Sequence, residues 1–137
     1  MALTDVYRLL TRAQFQAVLS GNTVAKTPHF ALHHRALVLP GNDQSDSALS
    51  ELFPVPGIWL GAMAPKRWAK RAVTRNAIKR QIYTVLRESK SPLMQGAYVV
   101  RLRSGFDRAQ FVSASSAALK SAARTELVQL FSRVQAS

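Results

Sequence analysis

Between residues 58 and 103 an apolar run, a long cationic helix and an alternating strand follow one another, and this succession limits the folds open to the chain. "IWLGAMA" (58–64) is almost wholly apolar and short enough for a buried strand, and Pro65 ends it. From about Trp68 to Ser89, Ile78, Ile82, Val85 and Leu86 recur at i, i+4, i+7 and i+8, one face of a helix. Ser91-Pro92 stops that helix. "AYVVRLR" (97–103) then alternates, with Tyr98, Val100 and Leu102 inward and Val99, Arg101 and Arg103 outward. Strands with one apolar face need a layer of helices over them, so a sheet covered by helices is expected.

The remaining segments extend that plan. "TRAQFQAVLS" (11–20) predicts a short helix capped by Thr11 and ended by Gly21-Asn22, with Phe15, Val18 and Leu19 as its stripe. A short strand is expected at Asn22 to Lys26, and a longer one in "HFALHHRALVL" (29–39). In the latter, Phe30, Leu32, Ala36 and Val38 share a side with His34, while Ala31, His33 and Arg35 share the other. Residues 40–57 carry turn formers and predict a loop with a helical turn at 47–53. In 109–135, Leu119, Ala123, Leu127, Leu130 and Val134 keep helical register. No repeat or linker divides the 137 residues, so one α+β domain over 1–137 is expected.

Charge narrows the function. The chain holds 19 basic and 7 acidic residues, a net charge of +12. Nine of those 19 lie between Lys66 and Lys90, opposed only by Glu88, whereas 36–65 has three acids and no base. Arg71, Arg75 and Lys79 form one row along the helix, and Asn76, Arg80, Tyr83 and Arg87 a second. Like charges four apart repel, and phosphates relieve that repulsion, so a nucleic acid is favoured over a merely solvated face. No helix-turn-helix companion precedes the basic helix. A sheet face with His33, Arg35, Arg101 and Arg103 beside it suits a cleft for a single strand.

Other classes find little support. The absence of cysteine removes disulfides, thiolate metal sites and Cys nucleophiles. No apolar run approaches a membrane span, and "MALTDVYRLLTRAQF" lacks a signal-peptide core, so a cytoplasmic protein is expected. Asp43, Asp46 and Glu51 sit in one loop without a paired-carboxylate arrangement, and the glycines make no phosphate-cradling loop. His29, His33 and His34 form no metal site, since adjacent strand positions oppose one another and no fourth ligand is in view. Phe15 and Phe30 suit a core as well as a stacking surface, and Trp59 and Trp68 suit packing or anchoring.

"LGAMAPKRWAKRAVTRNAIKRQIYTVLRES" resembles the signature of the protein subunit of bacterial ribonuclease P. That signature joins a strand and a basic pair, here Lys66-Arg67, to a helix centred on Arg-Asn-Arg-x-Lys-Arg, here Arg75, Asn76, Lys79 and Arg80. "RLLTRAQFQAVL" resembles the family's first helix and "AYVVRLRSG" its strand after the basic helix, so the resemblance runs from Tyr7 to Val134. Ala77 replaces the second Arg of the motif, and Tyr83 and Thr84 replace a usual Arg-Glu.

The resemblance implies a small mixed sheet of about four strands flanked by helices, like ribosomal protein S5 domain 2, with a left-handed βαβ crossover. It implies a non-catalytic subunit of an endoribonuclease, whose RNA subunit and Mg²⁺ carry out 5′ maturation of tRNA. The partners implied are ribonuclease P RNA and precursor tRNA. Lys66, Arg67, Lys70, Arg71, Arg75, Asn76, Lys79, Arg80 and Arg87 would hold RNA. Phe15, Leu19, Phe30, His33 and Arg35 would line a cleft for the single-stranded 5′ leader, with Leu19 where an aromatic is frequent. No catalytic residue or metal ligand is expected in the protein itself. The alternative is a ribosomal-type structural RNA-binding protein with no role in cleavage. A membrane-surface helix would need Trp or Phe on a broad apolar face, which 70–87 lacks.

Overall fold

The computed structural model describes residues 6–36, 52–53, 57–88, 96–105 and 117–135. Five strands, β1 (Val6–Arg8), β2 (Asn22–Lys26), β3 (Phe30–Arg35), β4 (Ile58–Met63) and β5 (Gly96–Leu102), form one mixed sheet in the order β1-β4-β5-β3-β2. Three helices accompany it: α1 (Arg12–Leu19), α2 (Ala72–Glu88) and α3 (Ala117–Gln135). β4 runs parallel to both β1 and β5, whereas β3 is antiparallel to β5 and β2. β4, α2 and β5 therefore make a strand–helix–strand unit with parallel neighbours.

Strand alternation sorts the side chains into two cores. Phe30, Leu32, Ile58, Leu60, Ala62, Tyr98, Val100 and Leu102 meet Ile78, Ile82, Val85 and Leu86 of α2 and Ala123, Leu127, Leu130 and Phe131 of α3. On the opposite face Trp59, Ala97 and Val99 pack with Leu9, Val18 and Phe53, and Phe15 and Leu19 lie against them. The sheet is thus buried on both sides, which is why Ala31 and His33 are buried along with Phe30 and Leu32.

The expected elements are present with shifted ends. α2 begins at Ala72, four residues after the expected Trp68, because Trp68 and Ala69 donate their N–H groups to the Pro65 carbonyl in a separate turn. The buried residues of α2 all fall from Ile78 onward, and ahead of the helix Ala69 rejoins the same core. β1 was not expected and makes a fifth strand. α1 has the Thr11 cap, and Gln14 completes it by accepting from the Leu10 and Thr11 N–H groups. The strand expected over 37–39, most of the 40–57 loop and its helical turn, the stop at 91–92 and the helix expected over 109–116 lie outside the described residues.

Candidate nucleic-acid interface

A concavity of about 460 Å³ opens where β1 leaves the sheet. Arg8, Leu9 and Leu10 line it from β1 and its exit, Phe15 from α1, Ala62 from β4, and Asn76, Lys79, Arg80 and Tyr83 from α2. The last four are spaced i, i+3, i+4 and i+7, so the helix turns them toward one side. The Leu9 N–H donates to the Leu60 carbonyl at 3.1 Å, which carries β1 one residue further along β4. Phe15 lies over Gly61: a Cβ built there would stand 2.5 Å from its Cε1. A side chain at 61 would push the ring out of the groove wall.

The two walls differ in chemistry. The α2 wall offers Asn76, Lys79 and Arg80, whereas the β1–α1 wall is apolar through Leu9, Leu10 and Phe15, with Arg8 as a cation beside them. The Arg8 guanidinium lies 4.1 Å from the Tyr83 ring centroid, a cation–π contact joining β1 to α2. Burial pushes the Tyr83 phenol pKa up, and the Arg8 charge and a backbone hydrogen bond at Ala62 act the other way. Tyr83 therefore stays a neutral hydroxyl at physiological pH. Such a groove can hold a phosphate on one side and a base or ribose on the other.

The other expected cations are distributed over a wider surface. Lys66, Arg67, Lys70, Arg71 and Arg87 are exposed outside the groove. Arg75 turns inward: its Nη1 donates to the Ala69 carbonyl at 3.1 Å and the Lys70 carbonyl at 2.8 Å. It holds the turn before α2 in place. Arg87 donates to the Thr84 hydroxyl at 3.5 Å. Glu88 is paired with Arg124 of α3 and so does not neutralise the basic face.

The expected leader-cleft residues separate into two groups. Phe15, Leu19, His33 and Arg35 lie on the α1 side of the sheet, and Phe15 also reaches the groove. Phe30 does not join them. It is fully buried on the α2–α3 face, because residues of opposite parity in one strand point to opposite sides. Arg35 donates to the Ala17 carbonyl at 3.4 Å and the Ser20 hydroxyl at 3.0 Å, so it caps the C-terminal end of α1.

His33 is buried between β2 and β5. Arg101 Nε donates to its Nε2 at 3.3 Å, which leaves Nδ1–H to donate to the Thr23 hydroxyl at 3.2 Å. Burial lowers its pKa, and Arg101 and Lys26 lower it further, so the neutral form prevails at physiological pH. Among the described residues, no group of three or more His, Cys, Asp or Glu is arranged to hold a metal ion.

Arg8, Leu9, Leu10 and Ala62 were not singled out from the sequence. The available signal was "VYRLL", a cation among apolar residues just ahead of the Thr11 cap, too short to announce a strand.

A family model described as Ribonuclease P matches residues 3–128. The ribonuclease P protein component of Bordetella parapertussis is 35% identical over 127 residues, covering 93% of this chain and 90% of its own. That of Ralstonia pickettii is 34% identical over 125 residues, covering 90% of this chain and 76% of its own. Among solved structures, the RNase P protein of Staphylococcus aureus aligns with a TM-score of 0.62 at 20% identity, over 92% of this chain and 93% of that one. The match begins ahead of β1 and ends within α3, taking in every element that lines the groove. By this extent and by its sequence relatives, the chain belongs to the ribonuclease P protein family.

Proposed function

We propose that this chain is the RNA-binding protein subunit of ribonuclease P, docking on the catalytic RNA and holding the 5′ leader of precursor tRNA during endonucleolytic maturation of the tRNA 5′ end. The observation that carries the reading is the groove itself. It brings Asn76, Lys79 and Arg80 of the basic helix together with Arg8 and against Leu10 and Phe15. Cations on one wall suit phosphates and the apolar wall suits bases, a pairing sequence-tolerant enough for varied leaders. Lys66, Arg67, Lys70, Arg71 and Arg87 extend the positive surface around α2. Arg75 supports it from below by fixing the preceding turn.

Hydrolysis belongs to the RNA partner. Mg²⁺ is placed mainly on the RNA partner, as the family's RNA-based chemistry implies; among the described protein residues no group of three or more His, Cys, Asp or Glu is arranged to hold a metal ion. The protein's part is positional: phosphate contacts set register and orientation, and neutralised phosphates let RNA segments approach one another. None of the described helices is long and apolar enough to cross a membrane. The partners proposed are ribonuclease P RNA and precursor tRNA, and the compartment proposed is the cytoplasm.

The test is precursor-tRNA cleavage by ribonuclease P RNA at low Mg²⁺, with and without this protein. Rescue of cleavage at the mature 5′ end is expected. Tight RNA binding without rescue would instead favour a structural RNA-binding protein of the ribosomal type.

A further inference from the structure

The two tryptophans have different surroundings. Trp59 is 7% exposed, stacked on Tyr7 at 4.8 Å and edge-on to Phe53 at 5.4 Å. Trp68 is 37% exposed and belongs to neither core. It sits in the turn before α2, surrounded in sequence by the exposed Lys66, Arg67, Lys70 and Arg71. Among the described residues its indole joins neither core, and four cations flank it in the sequence.

The turn that carries it is held on several sides. The Trp68 and Ala69 N–H groups both donate to the Pro65 carbonyl, at 3.0 and 3.1 Å. Ala69 is buried in the α2–α3 core. Arg75 clamps the carbonyls of Ala69 and Lys70. A Cβ at Gly105 would stand 2.9 Å from the Trp68 carbonyl oxygen, so the chain leaving β5 closes against the same turn. The backbone is fixed while about a third of the residue's surface remains open to solvent.

We propose that Trp68 is a stacking platform for an unpaired base of the RNA, with Lys66, Arg67, Lys70 and Arg71 holding the flanking phosphates. This rests on the RNA-binding reading above and adds a second contact point, on a turn that the groove residues do not include. Every base has a π-face, so an indole in a cationic setting suits a single-stranded nucleotide. The Arg67 guanidinium lies 5.7 Å from the indole centroid, near the outer limit of a cation–π contact. It can swing onto a phosphate at little cost. Arg75 is then a positioning residue, setting the angle at which the platform is presented.

The experiment compares the full-length protein with its W68F and W68A variants, titrated separately with ribonuclease P RNA and with leader-bearing precursor tRNA. Intrinsic fluorescence and filter binding are recorded over a range of salt. For whichever RNA supplies the base, wild-type emission is quenched on binding and W68F shows no such quench. W68F retains affinity because a phenyl ring still stacks. W68A loses about fivefold to a hundredfold, the range of a single base–aromatic stack. Its salt slope stays unchanged, since no charge is removed, whereas R67A flattens the slope by about 0.7 to 0.9.

Binding by W68A equal to wild type would overturn the proposal, as would a W68F variant as weak as W68A, which would mark the indole as a structural part of the turn. Failure of the wild-type protein to bind either RNA would remove the RNA-binding reading and the platform with it.

Discussion

At position 61 the missing side chain lets the Phe15 ring lie directly on the β4 backbone, and the apolar wall of the groove depends on that approach. Gly61→Ala should force Phe15 and α1 outward and cost about 1–3 kcal/mol, as overpacking does. Urea unfolding would read the stability loss, and RNA binding should weaken in parallel because the wall moves with the ring. His33 gives a second single-residue test. Its pKa in the folded protein lies below 6.5, so on acidification the unfolded chain takes up the proton first. The stability it contributes is complete above 6.5 and is lost as the pH falls from there toward the folded value. His34, whose pKa is also lowered by burial, acts in the same direction. His33→Gln should make the decline in urea midpoint below pH 6.5 shallower; an unchanged decline would show that His33 does not carry it.

At the scale of elements, α3 docks on the β2–β3 turn through one carboxylate. Glu126 Oε2 accepts from the Thr27 hydroxyl at 2.5 Å and the His29 N–H at 2.6 Å, and Oε1 meets His29 Nδ1 at 2.8 Å. Arg103 and Arg133 add contacts to the Thr27 and Lys26 carbonyls. Glu126→Ala leaves those donors without their charged acceptor and should cost about 1.5–3 kcal/mol, with faster hydrogen exchange at the His29 amide. None of this was legible in the sequence, since Glu126 looks like an ordinary polar position and its partners are 97 and 99 residues away. The helices themselves were legible: Ile78, Ile82, Val85 and Leu86, and Leu119, Ala123, Leu127 and Leu130, keep a 3.6-residue period and all are buried.

Alternation likewise separated Phe30 and Leu32 from Ala31 and His33. The resemblance nevertheless joined Phe30 to His33 in one expected cleft, and parity overrules it: Phe30 lies in the core on the opposite face. The three residues of β1 escaped detection because their pattern is short and their pairing partner is β4. With β1 went Arg8, and with Arg8 the fourth element of the groove.

Over the whole molecule the net charge of +12 is carried unevenly, and Lys66, Arg67, Lys70, Arg71, Arg80 and Arg87 of α2 and its preceding turn are exposed. Binding should therefore be steeply salt-dependent, each phosphate contact contributing about 0.7 to 0.9 to the log–log slope. The double variant Lys79→Ala/Arg80→Ala should flatten the slope by about 1.4 to 1.8, measured by filter binding. Arg75→Ala should behave otherwise, loosening the turn at 65–71 with a smaller change in slope, because its guanidinium is held by carbonyls. An equal flattening for Arg75 would show that it leaves them for a phosphate on binding.

The pairing of β1 with β4 also sets an order of events. Synthesis runs from the N-terminus, so α1 and the β2–β3 hairpin emerge well before β4 and α2. One wall of the groove, Arg8 to Phe15, is made before β4, and the other, Asn76 to Tyr83, appears only after it. Such distant pairings close slowly and late. A nascent chain thus has no finished groove to offer passing RNA. The groove is completed by the same closure that completes the sheet, so its share of RNA binding waits until the protein has folded.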